Sequence, residues 1–276
     1  MGHIRLGSIP KSRPWTAVAA SLTRTIQSRA GRRELVESSE GAAEALAGYV
    51  ARKTLVAARA GLTKAKKDDG LRHTFYLLTQ VALASRDEGW LERLHSLGIR
   101  LSSESTIIDL TTEFQAAIDR FVRSRKTGSD ISEMAQRAAG DALTALVEPK
   151  AQTLFGNTGE DLRQAIRSLS TRSGFGELGQ AFFGRLMSKF LNFYLSRLTA
   201  SQLGAGPLQQ VGDISSFNAA LATHCLETAL IVRDFSGQWY SKTEYQQGIS
   251  PSNAGAFVAV ALEKLATELK RQETGQ

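Results

Sequence analysis

An all-α fold, a bundle of about nine helices led by a basic N-terminal arm, is what this 276-residue sequence predicts. Three observations predict it. Proline is absent from position 15 to 148 and again from 150 to 206. Alanine occurs 36 times, and strong helix formers dominate throughout. Runs of Val, Ile and Thr with strand-like alternation are scarce. Apolar residues make up 42% of the chain and charged residues 22%, which fits a folded protein and not a disordered one.

Trp15, Val18, Leu22 and Ile26 form a helical stripe, with Pro14 suited to its first turn and Gly31 to its end. An alanine-rich helix follows from near Gly41 to Lys66 and stops at Asp68-Asp69-Gly70. Phe75, Leu78 and Val81 mark the next helix. Trp90, Leu91, Leu94 and Leu97 mark a short one, stopped at Gly98. After the polar run 102–105, Ile107, Leu110, Phe114, Ile118 and Phe121 form the cleanest amphipathic pattern in the chain, broken at Thr127-Gly128-Ser129. Asp130 and Glu133 resemble a capping box for a helix that Pro149 is expected to end.

In the second half, Leu162, Ile166 and Leu169 define a short helix. A long one from about Gly176 to Leu203 is apolar around most of its circumference, with a narrow polar strip of Arg185, Lys189, Asn192 and Ser196. Such a helix belongs at the centre of a bundle. Beyond the turn at 204–207, Phe217, Leu221, Cys225, Thr228 and Ile231 share one helix face. Ser250-Pro251 is a strong start for the last helix, with Phe257, Ala261, Leu265 and Leu269 on its apolar side. His3-Ile4-Arg5-Leu6 alternates as a strand would and reads either as an extended tail across the bundle or as an added strand on a partner's sheet. The expected organisation is a basic arm and first helix (1–33), an N-terminal helical part (34–148) and a C-terminal helical part (150–276), the helical parts packed as one unit.

The charge is unevenly placed. Lys and Arg number 34 against 27 Asp and Glu, a net charge of +7. Arg5, Lys11, Arg13, Arg24, Arg29, Arg32 and Arg33 all precede the first carboxylate, Glu34, and account for the whole excess. Residues 34–276 carry 27 charges of each sign. This is a neutral body with a basic N-terminal segment, whereas a nucleic-acid binder that is basic throughout would look different. The segment has the Arg-rich, acid-free composition of an organellar transit peptide but no apolar core of a secretory signal. Leu6 breaks the myristoylation pattern. With a single cysteine, Cys225, no internal disulfide and no Cys₄ or Cys₂His₂ zinc site can form, and a cytoplasmic location is expected.

Candidate chemistry is sparse. Gly174-Phe175-Gly176-Glu177-Leu178-Gly179 matches G-x-G-x-x-G, yet a dinucleotide loop needs a strand before it, and the preceding segment reads as helix. The alternative is small residues for close helix packing. Glu92 and His95 form an E-x-x-H pair without the second copy a di-iron bundle requires. His224 and Cys225 are adjacent on a helix and so diverge, and Cys225 falls on the apolar stripe. Basic clusters at Lys64, Lys66, Lys67 and at Arg120, Arg123, Arg125, Lys126 sit at helix C-termini, where the macrodipole favours cations. No P-loop, metalloprotease, nucleophile-elbow or EF-hand pattern is present.

The segment 239–247 carries Trp239, Tyr240 and Tyr245 among polar residues and reads as an inter-helix loop. Its rings either form a recognition surface or fold back to plug the bundle. The expected function is that of a non-enzymatic interaction protein, a subunit of a larger complex. It would dock through the N-terminal cations and through Trp239, Tyr240 and Tyr245 onto a protein with an acidic surface. No cofactor and no metal are expected. The alternatives are a nucleic-acid-binding module using the same arginines and the helix-end clusters, and a membrane-active effector built on the apolar helix at 182–198.

Overall fold

The structure, a computed structural model, describes Ala20 and residues 61–151, 159–200 and 211–274. The predicted helix through Trp15 and Ile26, the possible strand at 3–6, most of the alanine-rich helix and the turn at 204–207 lie outside the described residues. Among those described, all regular structure is helical. Residues 61–65 are helical, and nine helices follow: α1 (Asp69–Ala84), α2 (Trp90–Ser96), α3 (Ile107–Arg125), α4 (Asp130–Ala151), α5 (Gly159–Ser168), α6 (Arg172–Ala200), α7 (Val211–Thr228), α8 (Leu230–Gln247) and α9 (Pro251–Thr274).

The chain divides into two compact units, each built from segments distant in sequence. One unit comprises Thr63–Leu186 and Ala229–Leu265. α1 is its centre, with twelve of sixteen residues buried, Phe75, Leu78 and Val81 among them. It packs against α2, α3, α4 and α5. On another side Phe75 meets a set of rings: Phe175, Phe182 and Phe183 of α6, Trp239 of α8 and Phe257 of α9, at centroid distances of 5.0 to 6.0 Å. Aromatic contacts of this kind add to the burial of each ring.

The termini of these helices explain their boundaries. The helix expected to run to Lys66 stops at Ala65, and Asp68, expected only as its stop, also begins the next one. Its carboxylate accepts the Leu71 N–H at 2.7 Å, and it also accepts the hydroxyls of Ser129 and Ser132, the latter at 3.0 Å, so one side chain ties the starts of α1 and α4 together. At the other end of α1, Arg163 of α5 donates to the carbonyls of Ser85 (3.2 Å) and Asp87 (2.9 Å). α2 ends as predicted. Gly98 takes φ +85°, its N–H donates to His95 and that of Ile99 to Leu94, while Ile99 and Leu94 are both buried.

α3 is capped by Thr106. The Thr106 N–H reaches Asp109 at 2.7 Å, and these bonds hold the Asp109 carboxyl below its ordinary range. At its far end Lys126 adopts the left-handed conformation. The start of α4 is capped by Ser129, whose hydroxyl accepts the Ser132 N–H at 3.0 Å; Asp130 is already helical. Pro149 does not terminate α4, which continues to Ala151. A proline this near a C-terminus costs one hydrogen bond without ending the helix.

The other unit comprises Met1–Leu62, Met187–Thr228 and Ala266–Gln276. Its described core includes Met187, Phe190, Leu191 and Leu195 of α6 and Phe217, Leu221, Cys225 and Thr228 of α7. Gly61 lies so near the Phe190 ring that a Cβ there would sit 2.5 Å from its Cζ. α7 stops at Thr228 and does not carry Ile231, which is 39% exposed on α8. The bond from the Val232 N–H to the Ala229 carbonyl makes this break without glycine or proline, which is why the sequence hides it.

Candidate functional site

The glycine-rich motif is where helix geometry and a surface cleft meet. α6 begins at Arg172, four residues before the predicted start, because Thr171 caps it: its hydroxyl accepts the Gly174 N–H at 3.0 Å and its carbonyl the Phe175 N–H at 2.8 Å. The G-x-G-x-x-G run therefore lies inside a helix, preceded by α5 and not by a strand. Each glycine faces a close neighbour. A Cβ on Gly174 would strike the Ser168 carbonyl, one on Gly176 would come within 2.7 Å of the Arg233 carbonyl, and one on Gly179 would strike the Ser236 hydroxyl. From α8, Gly237 answers in kind, with its missing Cβ filled by the Arg172 carbonyl. The motif brings α6 and α8 into backbone contact and does not form a nucleotide-binding loop.

Beside this crossing lies a cleft of about 550 Å³, lined by Arg172, Ser173, Gly176, Leu230, Arg233, Asp234 and Gly237. Arg233 is held by Glu177 at 2.9 Å. Arg172 and Ser173 are exposed in the first turn of α6, which holds no acidic side chain. Leu230, half-exposed at 51%, forms an apolar part of the wall. Reasoning from sequence misses this cleft because its residues come from two distant helices and none belongs to a catalytic pattern.

The segment 239–247 is the second half of α8, so the predicted loop is corrected to helix. The three aromatics separate. Tyr240 is fully buried and stacks on Phe175 with centroids 4.0 Å apart; Trp239 packs on Phe75 and Phe257. Only Tyr245, at 91% exposure, stands in solvent. The Tyr240 hydroxyl has no hydrogen-bond partner among the described residues, and burial pushes its phenol above the ordinary range although the nearby Arg86 pulls the other way. Arg86 itself binds Glu244 at 2.9 Å and the Ser170 carbonyl, joining α8 to the end of α5. The N-terminal cations Arg5, Lys11, Arg13, Arg24, Arg29, Arg32 and Arg33 lie outside the described residues.

Other candidates resolve locally. Glu92 and His95 are both exposed on α2. Cys225 is buried, and desolvation pushes its thiol up to about 12, which leaves it un-ionised and poorly nucleophilic at neutral pH. His73 stacks on Phe121 at 3.6 Å; burial, with Arg125 near, lowers it to about 4 and keeps its imidazole neutral. Cations of the helix-end clusters have local partners: Lys66 with Glu263 at 3.6 Å, Arg123 with Asp119 at 3.8 Å, Arg120 with the Gly98 carbonyl, and Arg125 over the Phe121 ring. Among the described residues no group of three or more His, Cys, Asp or Glu is placed to hold a metal, and no helix is long and apolar enough to cross a membrane. No family model matches the chain, and neither a curated protein nor a solved structure matches it.

Proposed function

We propose that the protein is a non-enzymatic helical interaction protein, a cytoplasmic subunit of a larger complex that docks through its basic N-terminal segment onto a protein with an acidic surface. The observation that carries this reading is the placement of charge: seven cations precede the first carboxylate, and the remaining 243 residues balance. A segment with no internal counter-charge gains most by meeting an acidic partner, and such complementarity speeds encounter and selects among partners. The neutral body favours protein over nucleic acid, since residues 34–276 add no net positive charge to a phosphate contact. Of the aromatic residues expected to join the contact, Tyr245 is the one whose ring is open to solvent.

Affinity capture from the native source, with the full chain beside a chain lacking residues 1–33, tests the reading. Loss of a reproducible protein partner on truncation supports it. An unchanged partner set moves the interface to the body. Capture of nucleic acid with an affinity that falls steeply as salt rises assigns the segment to phosphate binding instead.

A further inference from the structure

We draw no further inference here: the strongest candidate, the partly open apolar face where Phe235 of α8 stacks on Phe257 of α9 at 5.0 Å, with Ile231 and Val260 exposed one turn away on the same two helices, carries nothing because nothing in the structure shows what covers it.

Discussion

Tyr240 and Tyr245 are the same residue type five positions apart on one helix, yet one is sealed from solvent and the other is 91% exposed. At 100° per residue they point about 140° apart, so they belong to opposite faces of α8. The inner face is Val232, Ser236, Gly237, Tyr240 and Thr243, all buried. The outer face carries Ser241, Tyr245 and, near the start of the helix, Ile231. The inner face fits its neighbours by being small at one level and large at the next. Ser236 and Gly237 let the backbone of α6 approach, and Tyr240 then fills the space against Phe175. An aromatic residue in a polar stretch is thus a contact candidate only after its face is known.

The comparison breaks most easily at Tyr240. Tyr240→Ala is expected to cost about 3–5 kcal/mol, as for other buried aromatic truncations, and urea unfolding of the purified chain measures it. Tyr245→Ala must leave the same curve nearly unmoved if the two faces differ as described.

Gly237→Ala tests the small half of the inner face. Its added methyl meets the Arg172 carbonyl, a backbone atom that cannot rotate away, and a loss of about 1–3 kcal/mol is expected from thermal unfolding. A stabilised variant would mean that α6 and α8 are not in backbone contact.

Tyr240→Phe sharpens the comparison by keeping the ring and deleting the unpartnered hydroxyl. It is expected to be neutral or stabilising by up to about 1 kcal/mol at neutral pH. The native phenol is pushed up by burial, so the unfolded chain ionises first. Its contribution to stability is full below about pH 10 and declines as pH rises above that value. Unfolding curves recorded from pH 8 to 11 are expected to fall less steeply for Tyr240→Phe than for the native chain.

The smallest effect is at Tyr245 itself. Substitution by Ala is expected to change unfolding free energy by no more than about 0.5 kcal/mol. A larger loss would place its ring in the core and erase the difference between the faces.

Much of the fold was legible in the sequence. α1, α3, α5 and α9 follow the spacing of their apolar residues, and local chemistry marks two boundaries directly, Gly98 after α2 and Ser250-Pro251 before α9, where Ser250 and Asn253 exchange bonds at 2.9 and 3.3 Å. α8 was not legible because three of its five buried positions are serine, glycine and threonine, so no apolar stripe stands out. The break between α7 and α8 hides for a related reason, since Ala229 and Leu230 look like ordinary helix interior. For the cleft, one signal was available. Glycine inside a helix costs about 1 kcal/mol relative to alanine, so Gly176, Gly179 and Gly237 flag positions where something approaches closely. The sequence shows that a close approach occurs there; only the fold shows that the partners are each other.

The central claim is that the protein docks through its uncompensated N-terminal charge. The most direct test keeps the full chain and replaces Arg24, Arg29, Arg32 and Arg33 with glutamine, then measures recovery of the native partner in affinity capture at physiological salt. The account predicts that recovery drops by about tenfold or more while the thermal midpoint of the body is unchanged. Undiminished recovery from the substituted chain would contradict it.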